Sequence, residues 1–322
     1  MRSIFEGEPV VLAPMSGITD LPFRRLVRRL GVDLVVSEMV ASAGLVHGTR
    51  LSRERGADDA APRVIQLAGC EPTLMGEAAR VAEDMGADVI DINMGCPMKK
   101  VVNGYAGSAL MRDEDKALRI VEATVAGTSR PVTLKMRTGW DDDNRNAPRL
   151  ARRAVASGVV AVSVHGRTRC QFFKGRADWR FIRQVKDAVA APVIANGDLN
   201  AVEDARSMLA QSGADGVMVG RGSFGRPWFP GQVKQFLATG ERLADPSLRQ
   251  QRQIVDEHYD AMLSYYGLSR GMRIARKHLN AYLERLGIGR EPRQQVLRCD
   301  APAVVRGMLD TLYAERAQER AA

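Results

Sequence analysis

The residues of this chain best suited to chemistry lie in one stretch, VIDINMGCPMKKVVNGYAGSALM at 89–111. An apolar run carrying Asp91 and Asn93 ends in Gly95, Cys96 and Pro97, followed by Met98, Lys99 and Lys100. A cysteine of this kind is usually buried filler; a free thiol, with a pKa of about 8.5, mostly keeps its proton at neutral pH. Concentrated positive charge would favour thiolate instead. Lys99 and Lys100 are therefore expected to face away from the sulfur. The other cysteines, at 70, 170 and 299, form no CxxC pair, and no histidine follows at zinc-finger spacing. Neither a structural metal nor a disulfide framework is expected.

Positioning such a group requires a scaffold. Eight short β-rich runs recur: VVLAPM (10–15), DLVVSEM (33–39), RVIQLAG (63–69), DVIDINMG (88–95), PVTLKMR (131–137), AVSVHGR (161–167), PVIANGD (192–198) and GVMVGRG (216–222). Helix-length segments separate most of them, which indicates parallel βαβ units. The even-numbered runs follow a glycine that ends a helix, at 31, 86, 158 and 213. Runs three, five and seven start at Pro62, Pro131 and Pro192, a tolerated place for proline. Eight such units predict an α/β fold, a (β/α)₈ TIM barrel. The alternative, a doubly wound open sheet, would want a GxGxxG turn after the first strand, where APMSGITD stands.

Alternation puts polar residues on one strand face: Gln66; Asp91 and Asn93; Thr133, Lys135 and Arg137; Ser163, His165 and Arg167. Apolar neighbours such as Ile90, Ile92, Leu134 and Val164 occupy the other. The polar residues come late in their strands, at the mouth where barrel active sites form. Runs seven and eight end in Asn196, Gly197 and Asp198 and in Gly220, Arg221 and Gly222. The loops after those two strands commonly bind phosphate in barrels. Ala13, Pro14 and Met15 could lie against a flat ring. Gln66 can read an imide edge, and Lys135 can face an electron-rich ring atom. Together these suggest FMN.

The chain has 322 residues, a net charge of +9, 45% hydrophobic and 26% charged residues. No run of about 18 apolar residues is present, so no membrane span is expected. The acidic residues near the N-terminus argue against a secretory signal, and a cytoplasmic location is expected. Near residue 240 the glycine-capped strands stop and TGERLADPS reads as a linker. The expected division is a catalytic barrel over 1–242 and a small C-terminal all-α domain over 243–322. Between Arg270 and Arg298 eight Lys/Arg face two Asp/Glu. Arg273, Arg276 and Lys277, at i, i+3 and i+4, share a helix face. An anionic partner, nucleic acid first, fits this charge.

LAPMSGITDLPFR, QLAG, DINMGCPMKKV, GSALM, TLKMRTGW, SVHGRTRCQF, GRADW, VIANGD and GVMVGRG, in order from 12 to 222, closely resemble tRNA-dihydrouridine synthases, most like the bacterial B-type subgroup. The resemblance implies an FMN-binding barrel with a helical tRNA-binding domain. The implied activity is NADPH-dependent reduction of particular tRNA uridines to 5,6-dihydrouridine, with hydride going to C6 and a proton from Cys96 to C5. It implies that Pro14, Met15, Ser16 and Gln66 contact the flavin ring, with Lys135 and His165 lining it. Asn196, Gly197, Asp198, Gly220 and Arg221 would hold the ribityl phosphate. Asn93, Arg137 and Arg167 would lie on the substrate side, around the target base. Lys99, Lys100, Arg273, Arg276 and Lys277 would meet RNA backbone. Met98 departs from the pattern, where a smaller residue is expected. The segment after Cys96, with its glycines, is expected to close over the substrate. No metal and no protein partner are implied, and a monomer is expected. The rival readings are a flavin barrel acting on a free pyrimidine and a non-catalytic RNA-binding relative. The basic tail argues against the first, and the presence of Cys96 and the phosphate glycines against the second.

Overall fold

A computed structural model describes residues 7–32, 34–56 and 61–321. Asp33, the first residue of the second predicted run, lies outside them, as do residues 1–6 and 322 at the outer ends of the two predicted domains. The order begins β1 (Val10–Leu12), α1 (Leu21–Arg29), β2 (Leu34–Val35), β3 (Val40–Ala41), α2 (Ser42–Val46), α3 (Arg50–Arg55) and β4 (Val64–Ala68). It continues α4 (Pro72–Asp84), β5 (Val89–Met94), α5 (Lys99–Val102), a 3₁₀ turn (Gly107–Arg112), α6 (Glu114–Ala126), β6 (Val132–Arg137), α7 (Ala147–Ala156) and β7 (Val159–His165). Then come α8 (Trp179–Ala188), β8 (Val193–Asn196), α9 (Val202–Ser212), β9 (Gly216–Val219), a short 3₁₀ turn (Arg221–Ser223) and α10 (Phe229–Thr239). Four more helices follow: α11 (Leu248–Tyr266), α12 (Leu268–Arg285), α13 (Arg290–Arg298) and α14 (Pro302–Ala321).

All strand pairs are parallel, in the order β2-β1-β9-β8-β7-β6-β5-β4-β3. A parallel bridge between Val36 and Val64 joins the β2 side to β4 and closes the barrel. The predicted second strand is broken into β2 and β3. The break is at Ser37, whose hydroxyl accepts from Gln66 N at 3.0 Å and so stands in for a ladder carbonyl. The predicted runs also outlast the strands. Residues 13–15, 197–198 and 220–222 leave the sheet and form the mouth.

Gly31, Gly86, Gly158 and Gly213 all have positive φ, as the helix-to-strand turns require. Asp113 and Asp178 cap α6 and α8 by accepting from Lys116 N (2.9 Å) and Phe181 N (2.9 Å). Ile90, Ile92, Leu134, Met136, Val162 and Val164 pack outward under the helices. The inward positions divide into two layers. Val11, Val64, Val89, Ala161, Ile194 and Met218 fill the lower barrel. Gln66, Asp91, Asn93, Thr133, Lys135 and Asn196 are buried above them.

The helices from α11 onward share their own core, including Val255, Tyr259, Leu279, Tyr282, Leu309 and Tyr313. The last predicted helical segment is interrupted at Cys299–Ala301, before Pro302 starts α14. This arm is fastened to the barrel. Leu26 packs with Trp228 and Ile254, Arg270 pairs with Glu54 at 2.7 Å, and Tyr265 Oη donates to Glu54 O at 3.1 Å. Among the described residues, no helix is long and apolar enough to cross a membrane.

Candidate active site

At the C-terminal mouth a cavity of about 320 Å³ is lined by Pro14, Met15, Ser16, Gln66, Asn93, Cys96, Lys135, Arg137, His165, Asn196, Gly197, Asp198, Gly220 and Arg221. Fourteen of the residues singled out in the sequence thus meet there, from seven strand ends. Parallel strands all point the same way and so deliver their C-terminal residues to one rim.

A hydrogen-bonded chain fixes the floor. Thr133 Oγ1 donates to Asp91 Oδ1 (2.6 Å), and Gln66 Nε2 donates to Asp91 Oδ2 (2.7 Å). Asn93 Nδ2 donates to Gln66 Oε1 (2.8 Å). Asn93 Oδ1 then accepts from Gly95 N (3.2 Å) and Cys96 N (3.0 Å). The chain therefore runs from a buried carboxylate to the backbone of the cysteine. Cys96 O accepts from Ser108 N (3.1 Å) and Ser108 Oγ (2.8 Å). The segment expected to close over the substrate is folded as α5 and a 3₁₀ turn, and Ser108 ties it to Cys96. Gln66 retains one amide hydrogen and one carbonyl lone pair for a ligand.

Burial pushes the Cys96 thiol up, against the lowering effect of the Met98 backbone N–H and of the Arg137 and Lys135 cations. The thiol therefore holds its proton at neutral pH. Burial, reinforced by Arg137, lowers Lys135 to about 8. Lys135 Nζ donates to Asn196 Oδ1 at 3.2 Å, not to Asp91, and Asn196 Nδ2 donates to Met218 O at 2.8 Å. Burial and the neighbouring cations, Arg137 first, push His165 well below its ordinary value, so its ring is neutral.

Several of these residues are also engaged with the protein itself. Arg167, expected beside the target base, is 1% exposed and stands behind the lining, with a guanidinium nitrogen 3.3 Å from His165 Nε2. Its guanidinium donates to Lys174 O (3.0 Å), Gly175 O (2.6 Å) and Asp198 Oδ2 (2.7 Å), which lock the loop after β7. The Asp198 carboxylate is likewise held by Arg167, by Ala177 N (2.7 Å) and by Arg221 (3.3 Å). Arg137 lines the cavity while donating to Gly95 O, Thr168 O and Phe172 O, each at 2.8 Å. It thus braces the turn that carries Cys96.

The basic residues also separate. Lys99 and Lys100 are exposed on α5. On α12, Arg273 is exposed but Arg276 is paired with Asp300 at 2.7 Å. Lys277 packs against the loop after β1, so closely that a Cβ on Gly17 would lie 3.0 Å from its Nζ. Helical spacing places three residues on one face but does not say what covers that face.

Sequence reasoning missed Phe173. It is 44% exposed in the cavity wall, with the Arg137 and Arg221 guanidinium carbons 5.5 and 5.1 Å from its ring centre. Its signal was the aromatic pair Phe172–Phe173 in a loop, outside any periodic element.

A family model described as dihydrouridine synthase (Dus) matches residues 11–319. The chain is 53% identical over 307 residues to a probable tRNA-dihydrouridine synthase of Rickettsia conorii, covering 94% of this chain and 93% of that one. It is 49% identical over 314 residues to a probable tRNA-dihydrouridine synthase of Rhodobacter capsulatus, covering 96% and 95%. It is 49% identical over 311 residues to tRNA-dihydrouridine synthase B of Xanthomonas axonopodis pv. citri, covering 95% and 94%.

Proposed function

The chain belongs to the dihydrouridine synthase family, with a B-type member among its relatives, and from that premise we propose that it reduces the C5–C6 bond of uridines in tRNA, with FMN as bound cofactor and NADPH as reductant. The observation that carries this reading is the position of the Cys96 thiol, held by its backbone at the rim of a cavity lined also by Gln66, Asn93, Lys135 and His165.

The residues fit a flavin. Ala13, Pro14 and Met15 line the cavity with apolar surface that a flat ring could lie against, and Gln66 keeps an acceptor and a donor for an imide edge. Gly197 has φ of +117°, and a Cβ there would lie 2.8 Å from His165 Cδ2 and from Ala177 Cβ, so the backbone reaches the cavity bare. Gly220 and Arg221 stand beside it for the phosphate end. Gly197→Ala is expected to push His165 into the cavity and weaken FMN binding about tenfold or more, consistent with strain of about 1–3 kcal/mol. Fluorimetric FMN titration of the apoprotein checks this.

When bound and reduced, the flavin supplies a hydride to C6 of the uracil. The chain's own residues do the rest. Lys135 and Arg137 line the same cavity and would offer positive charge to a ring that becomes anionic there. The Cys96 S–H bond breaks as a C5–H bond forms, leaving thiolate that solvent reprotonates. The uridine must leave its stack, at a cost of a few kcal/mol. Phe173, half-exposed on the rim, offers an aromatic face worth about 1–3 kcal/mol to an unstacked base. Residues 1–242 act as the catalytic domain and 243–322 as the tRNA-binding arm of a monomeric, cytoplasmic enzyme.

The test is anaerobic. Protein reduced with NADPH is mixed with tRNA lacking dihydrouridine while flavin absorbance is followed. Return of oxidised flavin with tRNA, but not with free uracil or orotate, is the expected result. Return with orotate alone would make the enzyme a small-pyrimidine reductase and overturn the proposal.

A further inference from the structure

Where the arm meets the barrel, three buried side chains converge. Asp20 caps α1, His258 lies on α11 and His278 on α12. One potential ligand atom from each lies within 4.8 Å of the others. Asp20 is 3% exposed and each histidine 1%. None of the three lines the active-site cavity.

The polar bookkeeping of this cluster is incomplete in a particular way. Asp20 Oδ1 accepts from Phe23 N (3.2 Å) and Oδ2 accepts from Tyr266 Oη (3.0 Å), leaving lone pairs on both oxygens. His258 Nδ1 is 2.9 Å from Tyr282 Oη. The Nε2 atoms of His258 and His278 are buried without a partner among the described residues. Two orphaned imidazole nitrogens beside a carboxylate are a costly arrangement for a closed interface. The two rings stand edge to face, 4.7 Å apart at 72°, with Phe23 stacked on His278 at 5.4 Å.

The geometry points to a divalent transition-metal site, zinc first, formed by Asp20, His258 and His278 and fastening the helical arm to the barrel. Two imidazoles and one carboxylate form a borderline N₂O donor set that suits zinc and leaves a fourth position for water. Tetrahedral ligands about 2.0–2.2 Å from zinc sit roughly 3.4 Å apart, so binding would draw the three groups slightly together. The second shell is in place. Tyr282 can accept from His258 Nδ1–H and so direct the Nε2 lone pair inward, and Tyr266 orients the carboxylate. Glu38 and Lys277 are charged neighbours of Asp20 with opposing effects. A surface cleft lined by Leu21, Arg25, Glu257 and His258 lies beside the cluster.

The full-length protein, stripped with chelator and with its four thiols alkylated, is titrated with Zn²⁺ by calorimetry and with Co²⁺ by visible spectroscopy. The expected result is one ion per chain, intense tetrahedral cobalt bands, and a thermal midpoint that rises with Zn²⁺ concentration. His258→Gln and His278→Gln should each abolish the stoichiometric binding. Tyr282→Phe should weaken it about 10- to 100-fold. X-ray absorption of the zinc-loaded wild type, which needs no variant to fold, should give a nitrogen/oxygen shell with imidazole scattering. Absence of stoichiometric binding by the wild type, or binding undiminished in folded histidine variants, would overturn the site and leave a hydrated polar pocket.

Discussion

Cys96→Ala is expected to lower tRNA reduction by about 10²- to 10⁴-fold, the usual worth of a positioned general acid. Bound flavin and NADPH oxidation by oxygen should stay at wild-type levels. The separation follows from the geometry. The cysteine's backbone is held by Asn93 and Ser108, so deleting the sulfur leaves the turn and the cavity floor intact. Its sign with pH is also determined. In the proposed mechanism the working form is the protonated thiol, and burial raises its pKa above the ordinary value. The proton-transfer step should therefore be insensitive to pH through neutrality and slow as pH rises through the raised thiol pKa. The residual rate of Cys96→Ala should lack that alkaline limb. Single-turnover reoxidation of reduced enzyme by tRNA, followed across pH, checks both statements. A wild-type rate that instead grew with pH through the thiol range would make the thiolate the active form and remove the general-acid role.

The second large effect concerns binding. Charge reversal of Lys99, Lys100 and Arg273 together is expected to weaken tRNA binding tenfold or more and to reduce the slope of log K against log salt by about 3. These three are chosen because they are exposed. Arg276 is engaged with Asp300, and Lys277 lies against Gly17, so reversing either would disturb the arm itself. Phosphate contacts set affinity and register rather than sequence choice. The pattern of uridines modified should therefore be unchanged in whatever tRNA still binds. Filter-binding titrations at several salt concentrations, with NADPH oxidation by oxygen as the folding control, measure it. An unchanged slope would mean that tRNA approaches by another face.

Much of this was legible in the chain. Period-two alternation determines which residues of a strand point inward, so Gln66, Asp91, Asn93, Thr133 and Lys135 could be placed on one interior surface before any coordinates. The chain also specified its turns, because Gly31, Gly86, Gly158 and Gly213 adopt backbone angles that other residues resist. The break between β2 and β3 was not legible. It depends on a serine hydroxyl meeting the backbone of a strand 29 positions away.

The sequence by itself determined the alternating units, the inward polar layer, the thiol at a strand end and the family to which the chain belongs, since these rest on local periodicity and contiguous motifs. Tertiary structure alone decided which charges are free and which are spent. Arg167 became a strut and Asp198 its anchor, Arg276 and Lys277 left the exposed basic face, and Phe173 entered the cavity wall. Asp20, His258 and His278 are separated by up to 258 positions and meet only when α11 and α12 dock on α1. The physical reason is the same in each case. Hydrogen-bond and ion-pair partners are chosen by proximity in space, and one-dimensional spacing carries no record of that proximity beyond a single element.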